Sequence, residues 1–274
     1  MPKKILLPLL YHDIRTGQAV LDREDVEQIP YIIERTTFEK HVSLLRENGF
    51  ESITSSDLIR FSEKSHAIPD KAVLITFDDG HVSNFTEAFP VLKRYGFKGI
   101  FFVTTGWIDK PQMLSREQIK VMYDSGIEIG SHTESHPIPT LLKEEELRTE
   151  LQLSKKKLED IINAPINSLS SPTGFYDQRM KKIAHESGYH ALYVGITSLH
   201  LPAQNEIDLL WINRIDIKAG ITLTAFQGIL SGNRYITAKT CFKEQFLGKV
   251  KSLVGPHYYN NIRRVILEHR RKYQ

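Results

Sequence analysis

The sequence predicts an α/β protein built as a parallel barrel of the TIM type, with an open doubly wound sheet as the rival arrangement. Three observations carry that prediction. Short apolar, β-branched runs recur along the chain. Amphipathic stretches separate them, which is the alternation of βα units. The polar residues His12, Asp78, Asp79, His132 and His136 and the Ser171-Pro172-Thr173-Gly174 turn all fall at or just past the C-terminal end of a predicted strand. A barrel gathers those ends at one face, so distant segments converge on one site, which favours it over the open sheet.

The elements come in a regular order. Ile5 to Tyr11 is an apolar run behind Met1-Pro2-Lys3-Lys4, too short for a signal-peptide core and without a small-residue cleavage site, so it reads as a buried first strand. Thr37 to Asn48 is the first predicted helix and Ala72 to Phe77 the second strand. The helix Thr86 to Tyr95 leads to the strand Gly99 to Val103. The helix Ser115 to Asp124, with Ser115 and Gln118 spaced as a capping box, leads to the strand Glu128 to Gly130. Gly49, Gly96 and Gly126 stand just beyond three of these helices, where a left-handed cap is needed. A long helix, Lys143 to Asn163, precedes the strands Ser168 to Ser171, Ala191 to Val194 and Trp211 to Ile215. Beyond Gly220 the pattern turns to helical, basic segments. The expected organisation is a barrel over 1–220 and a basic helical C-terminal extension over 221–274.

Composition narrows the class. The 274 residues hold a single cysteine, Cys241, so an intramolecular disulfide is impossible and a reducing compartment is expected. No stretch has the length of a transmembrane helix, and the expected location is the cytoplasm. The net charge of +3 hides an asymmetry: from Arg234 to Gln274 ten Lys and Arg face two Glu, a balance of +8, which leaves −5 on the rest. A basic tail of this kind either touches an anionic membrane surface or is a solvated helical face. No nucleic-acid partner is expected, and oligomeric state is not legible.

Two segments carry the chemistry. Thr76-Phe77-Asp78-Asp79-Gly80 places adjacent carboxylates after a buried run, and Ser131-His132-Thr133-Glu134-Ser135-His136-Pro137 places two imidazoles four positions apart. Two His and one carboxylate are a usual ligand set for a catalytic zinc with an open position. The other carboxylate can then act as a base. Asp79, His132 and His136 are the candidate ligands and Asp78 the candidate base, which points to metal-assisted hydrolysis. Taken singly, an Asp-Asp-Gly turn or a polar loop with histidines is unremarkable; their joint placement gives the signal. Pro137 argues against a regular helix at His136. Glu134 is expected to face solvent.

These two motifs resemble those of the polysaccharide deacetylases, the NodB-homology or carbohydrate esterase 4 group. The similarity runs from about Leu6 to Ile217. It implies a distorted (β/α)7 barrel and a divalent metal ion, zinc or a similar one, on Asp79, His132 and His136. It also implies Asp78 as base and hydrolysis of an N-acetyl group on an N-acetylhexosamine. Another amide hydrolase on the same barrel, or a sugar-binding relative without turnover, stays open beside it.

Three departures shape the expectations. The family's Arg-x-Pro-Tyr-Gly is here Ser170-Ser171-Pro172-Thr173-Gly174. The turn Pro172, Thr173 and Gly174 is kept as the oxyanion contact, and Arg214 is the candidate to replace the missing arginine beside Asp78. A Leu-x-His match at Leu10-Tyr11-His12 resembles the circularly permuted arrangement of the poly-N-acetylglucosamine deacetylases, in which the last strand comes first. His12 is therefore preferred as general acid over His269 in Leu267-Glu268-His269, with Asp13 orienting His12 or capping its loop. The family's Asp-x-x-Asp-Trp is only echoed by Trp211-Ile212-Asn213-Arg214-Ile215-Asp216. Trp107 and Tyr176 follow predicted strands and are candidates to stack on a sugar ring, with packing in the core or rim the expected role of each. If the enzyme is cytoplasmic, a lipid- or nucleotide-linked sugar is the expected substrate.

Overall fold

The protein is described by a computed structural model over residues 5–17, 28–195 and 208–231. Its strands are runs buried on both faces, which is why they read as continuous apolar segments. β1 (Ile5–Tyr11) and β5 (Lys71–Phe77) lie side by side in parallel, each with six consecutive buried residues. Between them come the short pair β2 (Asp13–Arg15) and β3 (Ile32–Glu34), helix α1 (Arg35–Glu47), β4 (Glu51–Ser52) and helix α2 (Ser55–Ser62). Then come α3 (Phe89–Tyr95), β6 (Ile100–Val103), α4 (Arg116–Asp124), β7 (Glu128–Ser131), α5 (Glu144–Ile162), β8 (Ser168–Ser170), α6 (Gln178–Glu186) and β9 (Ala191–Val194). The described chain ends with β10 (Ile212–Asn213), β11 (Ile215–Asp216) and α7 (Leu223–Leu230).

All sheet pairings are parallel, in the order β10-β9-β8-β7-β6-β5-β1-β11, with β4 on the lower part of β5. β10 and β11 are two halves of one segment interrupted at Arg214. Its first half pairs with β9 and its second with β1. That single segment brings the two ends of the sheet together, so the fold is a nearly closed barrel of seven staves, in agreement with the (β/α)7 expectation.

Two apolar clusters hold it. The larger lies between sheet and helices and includes Leu7, Leu9, Val73, Ile75, Phe101 and Leu169. The smaller takes the alternate residues of the same strands, Leu6, Ala72, Leu74, Ile100, Phe102, Tyr193 and Ile212, and fills the barrel interior. The same period-two alternation sets the facing of the polar residues above them. Thr76 and Asp78 continue the Ala72–Leu74 face, and Arg214 continues that of Ile212, so both charged groups point inward at the top of the barrel.

Local signals place the helices. The Ser115–Gln118 capping box is present, and Gly49, Gly96 and Gly126 take positive φ of 73°, 72° and 87°. Two helices not expected from the sequence also form. α2 starts at a Thr54–Asp57 capping box, and α6 starts at an Asp177 side-chain cap. The predicted strand Trp211 to Ile215 is broken at Arg214, because the chain there changes its pairing partner. Residues 232–274, with His269 and most of the basic extension, lie outside the described residues, as does the Met1–Lys4 segment. No described helix is long and apolar enough to cross a membrane.

Candidate active site and metal centre

The site is built at the C-terminal ends of the strands. Asp78 follows β5, His132 follows β7, His12 follows β1, and Ser170 closes β8. Asp79 takes a left-handed φ of 78°, beside Gly80 at 87°. This sharp turn lets two adjacent carboxylates, which an extended strand would send to opposite sides, serve one centre.

Asp79 Oδ1 lies 3.4 Å from Nε2 of His132 and 3.4 Å from Nε2 of His136. Among the described residues these three form the group of potential metal ligands, with their donor atoms within 4.8 Å of one another. Ligands bonded at about 2.0–2.1 Å in a tetrahedron sit roughly 3.3 Å apart, so the spacing suits a small divalent ion. The tautomer suits it as well. His132 Nδ1 lies 2.9 Å from the Ser170 carbonyl, which can only accept. Nδ1 therefore carries the proton of the neutral ring, and Nε2 presents a lone pair toward Asp79. The donor set and its orientation fit a metal. Burial alone would push the Asp79 carboxyl up, but the imidazoles of His132, His136 and His81 gathered around it hold it well below the usual carboxylate range when no ion is bound.

Asp78 is 3% exposed and Arg214 is wholly buried. Arg214 donates two parallel hydrogen bonds to Asp78, Nη1 to Oδ1 at 2.7 Å and Nη2 to Oδ2 at 2.8 Å. It also reaches Thr76 Oγ1 at 3.2 Å and Ser170 Oγ at 2.7 Å, and rests over the rings of Phe102 and Tyr193. Ser170 Oγ in turn donates to Asp78 Oδ2 at 2.9 Å. Burial opposes the charge on Asp78; Arg214 and then His132 outweigh it and keep the carboxyl ionised. Ser170 stands where the resembling motif has its arginine. The charge has moved to the facing strand, and a small hydroxyl leaves it room.

His12 packs its ring 4.7 Å from that of Tyr31, and Asn84 Nδ2 donates to its carbonyl at 2.8 Å. Burial lowers its basicity, whereas Asp79, Asp216 and Asp78 raise it. His12 Nδ1 and Asp216 Oδ1 are both buried without a hydrogen-bond partner among the described residues. Asp13 does not orient His12. It accepts from Ser83 Oγ at 2.6 Å and Arg15 Nε at 2.7 Å, so it braces the neighbouring loop. In the Pro172–Gly174 turn, Thr173 holds φ at +61°. A β-branched residue there is strained, a condition that persists where the surroundings impose it.

Glu134 does not face solvent freely: Lys157 Nζ pairs with it at 2.5 Å, and Thr105 donates to its other oxygen. Trp107 stacks on His136 with centroids 5.1 Å apart, and Tyr176 meets Trp211 edge-on at 4.3 Å. His81, whose Nε2 lies 3.5 Å from Asp79 Oδ2, was not singled out from the sequence. Neither were Thr76 and Ser170. Strand parity was the signal for Thr76, and its place in the degenerate motif was the signal for Ser170.

The chain is similar to known proteins. Residues 65–192 match the family model described as polysaccharide deacetylase. YxkH of Bacillus subtilis (strain 168), provisionally designated a polysaccharide deacetylase, is 30% identical over 225 residues, covering 82% of this chain and 76% of that protein. The poly-β-1,6-N-acetyl-D-glucosamine N-deacetylase of Staphylococcus aureus (strain MSSA476) is 26% identical over 159 residues, 52% of this chain and 54% of that protein. The chain therefore spans about half of that relative, and only 14% of the Escherichia coli (strain K12) protein of the same name. Among solved structures, the Streptococcus pyogenes deacetylase PplD in complex with acetate superposes with a TM-score of 0.73 at 24% identity, covering 84% of this chain and 98% of that one.

Proposed function

The chain belongs to the polysaccharide deacetylase family, the NodB-homology or carbohydrate esterase 4 group, and from that membership we propose that it is a metal-dependent hydrolase removing the N-acetyl group from an N-acetylhexosamine unit. The substrate unit is part of a polysaccharide or of its lipid- or nucleotide-linked precursor. The observation that carries the proposal is the juxtaposition of Asp79, His132 and His136 with an ionised Asp78 clamped by Arg214.

A divalent ion, zinc in this reading, held by Asp79, His132 and His136 would polarise the acetyl carbonyl and acidify a water. Asp78 accepts a proton from the attacking water, and the bidentate arginine keeps its carboxylate charged and aimed. The Pro172–Thr173–Gly174 turn faces the developing oxyanion with its backbone. His12 gives a proton to the departing nitrogen. The balance is one water consumed per acetyl group, with acetate and a free amine as products.

The test is metal content on protein purified without chelator, wild type beside His132→Ala, followed by acetate release from N-acetylglucosamine oligomers. Near-stoichiometric divalent metal, lost in the variant and accompanied by acetate release, is the expected result. Absence of metal before and after zinc addition would overturn the mechanism.

A further inference from the structure

The loop that carries both histidines is strained. Thr133 and His136 hold φ at +67° and +58°, where residues with a Cβ sit at a cost. Such a loop keeps its shape only if its surroundings over-determine it. Each backbone N–H from residue 132 to 136 has a partner. That of His132 reaches the Val103 carbonyl at 2.9 Å, that of Thr133 reaches Ser131 Oγ at 3.2 Å, and that of His136 reaches Thr133 Oγ1 at 3.2 Å. The two at the apex, Glu134 and Ser135, both donate to one carboxylate oxygen, Glu150 Oε2, at 2.9 and 2.8 Å. Glu150 Oε1 takes the Ser135 hydroxyl at 2.7 Å.

Glu150 stands on α5, and the same face continues one turn on with Ser154 and two turns on with Lys157. The buried Ser154 hydroxyl lies 2.5 Å from that of Ser131, and Lys157 pairs with Glu134. A stripe at i, i+4 and i+7 of one long helix thus grips the loop at its root, its apex and its one acidic side chain.

We propose that Glu150, supported by Ser154 and Lys157, is a positioning residue that holds the His132–His136 loop in its ligand geometry before any ion arrives. The inference rests on the metal-centre reading above, and adds to it the device that prepares the site. Ordering the loop in advance means that the ion does not have to order it on binding, so affinity rises through preorganisation. Partners in this outer position typically change metal affinity by about 10–100-fold.

The experiment compares wild type, Glu150→Ala, Glu150→Gln and, as control, Lys156→Ala, which breaks an exposed pair with Asp160 on the outer face of the same helix. Two quantities are measured: amide hydrogen exchange of Glu134 and Ser135 in metal-free protein, and Co2+ affinity by chelator competition. Slow exchange in wild type and Lys156→Ala, fast exchange confined to the loop in Glu150→Ala, and affinity about 10–100-fold weaker are expected, with Glu150→Gln between. Protected loop amides in folded Glu150→Ala, or Co2+ affinity within about twofold of wild type, would overturn the proposal. Should Glu150→Ala fail to fold, Glu150→Gln decides by the same two measurements. If wild type takes up no metal, the metal-centre reading falls, while the exchange data still decide whether Glu150 orders the loop.

Discussion

Asp78 and Arg214 form a buried ion pair whose two members have almost no alternative to each other. Moving either charge out of water costs several kcal/mol, offset here by two parallel hydrogen bonds and by the hydroxyls of Thr76 and Ser170. Removing one partner is therefore worse than removing both. Arg214→Met is expected to destabilise the fold by about 3–5 kcal/mol, measured by urea denaturation, because Asp78 stays buried without a counter-charge. Asp78→Asn is expected to cut acetate release by about 10²–10⁴-fold, as the loss of a positioned base does. Arg214→Met with unchanged stability would show that Asp78 is neutral or solvated in the fold. Thr173 belongs at this scale too: its left-handed backbone is a strained conformation, and it lies in the turn expected to face the oxyanion.

At the scale of elements, the histidine loop sits between α5 on one side and the turn after β6 on the other. Thr105 and Gly106 donate backbone N–H groups to the carbonyls of Thr133 and Glu134 at 3.1 and 2.7 Å. A Cβ placed on Gly106 would come within 2.5 Å of the Glu134 carbonyl oxygen, closer than any real contact. Backbone, not a flexible side-chain tip, would have to move. Gly106→Ala is thus expected to cost about 1–3 kcal/mol by thermal melting and to weaken metal binding by shifting the loop. A variant that melts and binds Co2+ like wild type would mean that the loop is free to shift. The segment Asn84–Ala88, wound as a π-helix ahead of Pro90, does similar work beneath His12 through the Asn84 side chain. Pro90 has no N–H to continue a regular ladder backwards, and such π segments recur at functional positions.

At the scale of the whole molecule, α7 returns to cover α1. Phe226 stacks on His41 with centroids 4.0 Å apart, and the same imidazole shares a hydrogen bond with the Tyr11 hydroxyl at 3.2 Å. His41 is wholly buried, and burial brings its pKa down to about 4. The sign comes from linkage: the unfolded ring takes a proton near pH 6.5 and the folded ring does not. Stability is full above about pH 6.5 and falls as the pH drops toward about 4, by about 3 kcal/mol in all. Urea denaturation of metal-free protein at about pH 7 and about pH 4.5 is expected to show this slope, and His41→Leu is expected to remove it. A slope that survives the substitution would assign it to other groups. The basic tail from Arg234 to Gln274, outside the described residues, is proposed to touch an anionic membrane surface. Protein truncated after residue 231 is expected to lose binding to anionic vesicles; undiminished binding would refute that role.

Legibility in the sequence depends on range. Strand identity, barrel class and the glycine caps depend on neighbours a few positions apart, and burial on both faces writes itself as an apolar run. Ile5–Tyr11 and Ala191–Val194 are therefore met residue for residue. The candidate ligands were legible because a metal accepts few donor types, and these occur at tight spacing after strands. The grip of Glu150 on the apex of the histidine loop, the bracing of Asp13 by Ser83, and the ring stacked on His41 join residues 15 to 185 positions apart. No local pattern marks them. Composition, periodicity and two motifs by themselves determined the class of fold and the candidate residues of the site. Only the closed barrel decided that the arginine on the β10–β11 segment would meet the aspartate after β5, because that pairing exists once the last segment has joined both ends of the sheet.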